Sequence, residues 1–253
     1  MSRNYGFLLT NLVLKDFKIR YRNMSLGIFW SLLNPLVMMS VLTFVFTRIF
    51  PNNSIKEFAV FVLCGLVPFN FFSSAWASGS TSVTDNSPLV KRVRCPREVI
   101  PVASVLANCL HFVIQIALLA TLAVAFGNPI NRHWVWLPLI FLMEVVFVCG
   151  LALITAALNV YFRDVRYVVE SLNVVLFWLV PIWYKLDQVP EAYHFLYQLN
   201  PVTAVILACR KILIESVAPP TTLLVKLPLI SLFVLWVGFL VFGWLKPKFA
   251  DYL

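Results

Sequence analysis

Apolar positions in this chain run together in long blocks, and polar positions are confined to short stretches between them. Six blocks read as membrane-spanning helices: about 27–47, 58–78, 102–126, 134–158, 167–184 and 227–245. A hydrocarbon core of about 30 Å takes roughly 20 residues at 1.5 Å each. Prolines punctuate several of them. Asn34-Pro35 predicts a kink, or a site packed against a neighbour, because proline frees a carbonyl. Pro68 sits near the centre of the second block. Gly127-Asn128-Pro129 ends the third as a turn. The small residues at 73–82 would let two helix backbones approach closely.

Two regions have helical periodicity without spanning length. Residues 4–24 carry Leu9, Val13, Phe17 and Tyr21 on one side and Asn11, Lys15, Lys18 and Arg22 roughly opposite. That pattern predicts an amphipathic helix in the membrane interface, its cations towards lipid phosphates, or else the solvated face of a packed helix. Residues 189–214 contain two short apolar segments, 191–199 and 202–214, broken by Asn200-Pro201. Thirteen helical residues cover about 20 Å, too little for a crossing. A pair of re-entrant helices before the last span fits better. The fold expected is therefore an all-α polytopic membrane protein: six transmembrane helices, an N-terminal amphipathic helix and two re-entrant helices, in a single transmembrane domain over 1–253.

The longest polar interruption is 85–101, with Lys91, Arg92, Arg94 and Arg97 as cations, Asp85 and Glu98 as carboxylates, and Pro88, Pro96 and Pro101. It reads as a short basic helical element that docks onto a separate protein. Six crossings put both termini on one side of the membrane. That side holds Arg3, Lys15, Lys18, Arg20, Arg22, the cations of 85–101, Arg163, Arg166, Lys246 and Lys248, which is 13 of the 20 lysines and arginines. The positive-inside rule makes it the cytoplasm, with the re-entrant pair on the far side.

Composition agrees with this class. The chain is 61% hydrophobic and 12% charged, with a mean hydropathy of +0.87, whereas soluble domains are about 25% charged. The net charge of +9 is accounted for by cations at membrane boundaries, and nucleic-acid binding is set aside. Five scattered cysteines show neither metal spacing nor a disulfide framework. No phosphate-binding loop, zinc motif or nucleophile elbow is present, and Asp16, Asp85, Asp164, Asp187 and Asp251 do not pair to hold a metal. The chain is thus expected not to be an enzyme, and to take any driving energy from a partner. His111 and Glu144 lie deep in adjacent antiparallel spans, where ionisable groups are costly, and are expected to meet across them or to pack as structural polar groups. Aromatics make up 15% of the residues. Trp134, Trp136, Trp183, Tyr184 and Trp244 suit an interfacial belt, and other aromatics could line a path for sugars.

Four stretches also carry a family resemblance. They are LKDFKIRYRNMSLGIFWSLLNPL (14–36), LVKRVRCPREVIP (89–101), NVYFRDV (159–165) and LNPVTAVILACR (199–210). In this order they resemble the permease subunits of type-2 ABC exporters for O-antigen, capsule and teichoic acid polymers. The resemblance implies a homodimer of six-helix subunits in the bacterial inner membrane, bound to two copies of an ATPase subunit that holds ATP and Mg, with no cofactor in this chain. It implies a coupling helix around Leu89, Lys91, Arg92, Arg94, Pro96, Arg97 and Glu98, with Cys95 where the family often has an aromatic. It also implies a cytoplasmic loop at Arg163 and Asp164, and periplasmic gate helices bearing Tyr193, Phe195, Tyr197, Asn200, Pro201 and Arg210. The cargo would be a polymer on a polyprenyl-pyrophosphate lipid. Lys15, Lys18, Arg20 and Arg22 could bind its pyrophosphate or membrane head groups. Two alternatives stay open: an exporter of the same architecture for a smaller lipid or drug, and a membrane enzyme acting on lipid-linked sugar. The second would need a convergent acid, base or metal constellation.

Overall fold

Helix α3 (Phe58–Asp85) is the axis on which the others pack; it touches α2, α5, α6, α7 and α9. The computed structural model describes residues 5–21, 29–49, 55, 57–92 and 96–253. In order these form α1 (Tyr5–Tyr21), α2 (Phe29–Phe44, prolonged by a π-helical turn Val45–Ile49), α3, α4 (Ser87–Arg92), α5 (Val99–Ala125), α6 (Trp136–Tyr161), α7 (Val165–Leu179), α8 (Glu191–Leu199), α9 (Pro201–Leu213), α10 (Thr221–Leu245) and α11 (Phe249–Tyr252). The molecule is an all-α polytopic membrane protein. Among the described residues, five helical segments are long and apolar enough to cross a bilayer: Phe29–Ile49, Phe58–Asp85, Val99–Ala125, Arg132–Tyr161 and Thr221–Lys248.

The polar half of α3 stays helical to Asp85, beyond the expected end at 78, and its hydroxyls bond within the helix. Ser78 donates to the Ser74 carbonyl at 2.8 Å, and Ser80, Ser82 and Thr84 each donate three residues back at 2.7 Å. This back-bonding satisfies the hydroxyls without water. The small residues there do bring backbones together: a Cβ on Gly79 would lie 2.6 Å from that of Ala152 on α6. The α6–α10 contact is closer still. A Cβ on Gly150 would fall 2.6 Å from backbone atoms of Val234 and Leu235, and one on Gly238 2.6 Å from the Gly150 carbonyl oxygen. Small residues drive helix association where lipid removes the hydrophobic incentive.

Caps fall where the sequence placed them. Gly127, at φ 97, closes α5 while the Asn128 and Gly127 amides bond the Ala123 and Val124 carbonyls, both at 3.0 Å; this is a Schellman closure, which needs a left-handed residue. Asn200 accepts the Val202 amide at 3.0 Å and Pro201 takes the first helical position of α9. Helix α2 runs on through Pro35, which is buried.

The fifth expected span, 167–184, requires correction. Helix α7 is only 15 residues long, and Val180–Tyr184 continues as non-helical backbone. The segment nevertheless follows the length of α3. Arg166 and Glu170 share a cleft with Asp85, Asn173 reaches the Ser73 carbonyl at 3.5 Å, and Phe177 packs on Phe69. Ile182 then sits over Gly65, where a Cβ would meet its Cα at 3.0 Å. Trp183, expected at the interface, is 8% exposed inside this packing, whereas Trp244 is fully outward at 84%.

Two ends of the bundle result. One gathers α1, α4, the 96–98 turn, the α6–α7 connection and the tail, through Lys15–Asn86, Glu98–Lys246 and Tyr161–Leu245 contacts. The other gathers Glu57, Asn128, Asn131 and the α8–α9 pair, through Asn128–Glu57 and Asn131–Ile212 hydrogen bonds.

Candidate coupling end and gate end

At the first end, α1 lays Leu8, Leu9, Leu12 and Val13 against a core of Val83, Val90, Ile100, Leu153 and Phe242. Phe17 stacks on His111 at 5.4 Å between ring centres. The expected stripe is therefore present, but the protein's own bundle covers it. Asn11, Lys15 and Lys18 are exposed on the other side. Lys15 donates to the Asn86 side chain at 2.5 Å, which ties α1 to the α3–α4 junction. Arg20 belongs to α1, and Arg22 lies outside the described residues.

The segment 85–101 is shorter than its sequence suggested, since α3 takes Asp85 and α5 starts at Val99. What projects is α4 and the 96–98 turn. Val90 is buried as the foot of α4, Leu89 is half-buried, and Lys91 is exposed. Arg92 ends the helix; Arg94 and Cys95 lie outside the described residues. Pro96 is half-buried. Arg97 and Glu98, expected to face a partner, turn onto the chain's own tail: Arg97 donates to the Lys246 carbonyl, and Lys246 pairs with Glu98. The tail folds back because Phe249 is fully buried against Phe242 and Tyr161. Nothing in an eight-residue tail signalled Lys246 as an anchor. Arg163 and Asp164 stand exposed in the turn before α7.

Burial pushes the Glu98 carboxyl up, but the Lys246 hydrogen bond and charge, with help from its own backbone and Arg97, hold it below the usual 4.5. A carboxylate depressed by folding stabilises the folded state above its unfolded pKa and stops doing so as pH falls through its folded value. The melting-temperature gap between the natural chain and Glu98→Gln in detergent is expected to be open at pH 6 and to close below 4.5. A gap independent of pH contradicts this pairing.

At the second end, Arg210 of α9 is 5% exposed. It donates to the Ile182 carbonyl at 2.7 Å, and to those of Tyr184 and Phe61 at 3.4 Å. Its guanidinium carbon lies 3.4 Å over the Phe61 ring. Five fixed donors in a plane suit this task. Val180–Tyr184 forms a strap with no helical ladder, so its buried carbonyls need donors from elsewhere in the protein, and Arg210 supplies them. The Tyr184 hydroxyl lies 3.1 Å from that of Tyr197, which links the strap to α8, while Tyr193 and Phe195 point outward at 54% and 64% exposure.

The expected His111–Glu144 pair does not form. Glu144 is fully buried on α6 with both carboxylate oxygens lacking a hydrogen-bond partner among the described residues. His111 instead places Nδ1 3.2 Å from the Ser31 hydroxyl. Cys64, Cys109, Cys149 and Cys209 are free thiols. Among the described residues no group of three His, Cys, Asp or Glu side chains is placed to hold a metal.

These two ends, one basic and projecting, one folded back into the bundle, belong to a transport subunit. Residues 8–214 match the ABC-2 type transporter family, and the chain belongs to that family. It is similar to the O-antigen export system permease protein RfbA of Myxococcus xanthus, at 32% identity over 98% of this chain and 95% of that one. It is 31% identical to the protein of the same name from Klebsiella pneumoniae, over 100% of this chain and 98% of the relative. Polysialic acid transport protein KpsM of Escherichia coli is 24% identical over 90% and 89%.

Proposed function

We propose that this chain is the membrane subunit of an ATP-driven exporter that carries a polyprenyl-pyrophosphate-linked polysaccharide across the bacterial inner membrane, with O-antigen as the first choice of cargo. The supporting observation is the end-to-end likeness to O-antigen export permeases at 31–32% identity, against 24% for the polysialic acid transporter. Two copies of the chain pair with two copies of an ATP-binding subunit, which holds ATP and Mg. The α1–α4 end with both termini faces the cytoplasm, in keeping with its share of the cations. Helix α4, including Lys91 and Arg92, seats in the ATP-binding subunit; α8 and α9 form the outer gate.

Segment 165–184 counts as the sixth crossing. It follows α3 from Asp85, beside Arg166 and Glu170, to Gly65, beneath Ile182, a stretch of helix about 30 Å long that matches a core of ~30 Å. A second copy covers the apolar faces of α2 and α7, where Phe29, Val37, Val41, Val168, Leu172 and Val175 are exposed. Lys15 and Lys18 line the approach of the pyrophosphate. Lys15 borders a cleft of 370 Å³ between α1, α3 and α5 that includes Ser78, Thr81, Ser82 and Ser104, hydroxyls suited to sugar. ATP binding in the partner favours one arrangement of the dimer through differential contacts at α4, and the path opens at the strap.

Deleting the gene from its host is expected to accumulate carrier-linked polymer on the inner leaflet and abolish surface polysaccharide, both reversed by the intact gene. Accumulation of a small lipid or drug with surface polymer unchanged selects the same architecture with a smaller cargo.

A further inference from the structure

A cavity of 410 Å³ at the gate end is framed by Lys185–Asp187 just after the strap, by α9 and by the first turns of α10. Lys185, Arg210, Lys211 and Lys226 border it, against Asp187 and Glu215. Lys211 and Glu215 form an ion pair at 2.8 Å. The remaining wall is apolar, with Phe61, Leu207 and Leu223. Charge placement makes this unusual. The far side of the chain has seven cations in all (Arg48, Lys56, Arg132 and these four), so more than half of them meet at one cavity on the side that membrane proteins keep poor in lysine and arginine.

The second observation is what lies below it. Thr222 and Lys226 belong to the cavity, and the same helical face continues as Leu229, Phe233, Trp236 and Leu240, at spacings of three and four. These four are 53–62% exposed. A cationic hollow at the membrane boundary thus opens onto an uncovered apolar stripe running down the span. That is the shape and polarity of one lipid, with its phosphate among the lysines and its acyl chain along α10. Ammonium groups act as flexible point charges and suit a phosphate held without fixed geometry.

We infer that the cavity is a binding site for an anionic phospholipid of the outer leaflet, headgroup in the Lys185–Lys226 hollow and acyl chain on the α10 stripe. Such a lipid would brace α9 and the strap from outside, next to Arg210. The inference shares the proposed topology but not the proposed cargo, so an exporter of some other substrate leaves it standing.

The test uses the full chain with its ATP-binding subunit, reconstituted in vesicles of equal phosphatidylglycerol and phosphatidylethanolamine, re-extracted and weighed intact by native mass spectrometry. Phosphatidylglycerol is expected to be retained in preference to phosphatidylethanolamine. Lys185→Glu with Lys226→Glu should cut its retention at least about tenfold, as about 1 kcal/mol per surface cation implies. Lys185→Arg with Lys226→Arg, which keeps the charge, should retain it, and Phe233→Ser should weaken retention of both lipids. Equal retention of the two lipids by the natural chain, or unchanged phosphatidylglycerol on the charge-reversed chain, overturns the proposal. So does displacement of the phospholipid by the carrier-linked polymer at equal concentration.

Discussion

Arg210→Met is expected to lower the melting temperature sharply in detergent and to abolish surface polysaccharide. Methionine fills much of the same volume, so the loss is not a cavity effect. It comes from the carbonyls of Ile182 and Tyr184, which sit in a segment without a helical ladder and would lose their donors. A buried acceptor left bare costs about 1–3 kcal/mol, and a membrane bundle with a stability on the order of 5–15 kcal/mol tolerates few of these. The contact over the Phe61 ring, at 3.4 Å, goes with them. Arg210→Lys retains a cation but offers one nitrogen where the guanidinium uses three, so it should fall between the two. An Arg210→Met chain that melts with the natural one would show that the strap is held by packing of Ile182 and Trp183 alone.

The strap also marks where sequence reasoning stopped. Hydropathy measures transfer from water and is blind to hydrogen bonding, so Val180–Tyr184 looked like the end of a helix. A signal was available in Pro181: the residue before a proline is driven to extended backbone, and Val180 has φ −73 and ψ 137. Local chemistry served well elsewhere. The α9 boundary followed from Asn200-Pro201, the α5 end from Gly127-Asn128, and the stripe of α1 from residue spacing alone. What covers that stripe was not legible, because lipid and a neighbouring helix present the same apolar surface. Whether His111 and Glu144 would meet was not legible either, because counting residues gives a position along a helix, whereas rotation depends on which faces pack. Arg97 and Glu98 looked outward only because the fold-back of Phe249 onto Tyr161 is tertiary.

The second large effect is the reverse of the first. Lys91→Glu with Arg92→Glu is expected to leave the chain folded and inserted while export is lost. Lys91 is exposed on α4, and surface substitutions cost within about 0.5 kcal/mol of stability. At an interface the same charges matter more, since stripping one member of a docked charge pair costs about 2–5 kcal/mol. Two reversals should therefore reduce association with the ATP-binding subunit by at least about a hundredfold on that scale. Export intact in the doubly reversed chain would remove α4 from the coupling role and leave the α6–α7 turn, with Arg163 and Asp164, as the place to look.

The claim beneath both predictions is that a chain without a nucleotide site is driven from its basic projecting end by a separate ATP-binding subunit. Placing a photo-crosslinking residue at position 91 in cells and identifying its adducts tests this most directly. The account predicts an adduct with the ATP-binding subunit whose yield changes when ATP is trapped there. Adducts confined to lipid or to this chain's own helices, or labelling of position 91 by a membrane-impermeant reagent added from outside, would contradict it.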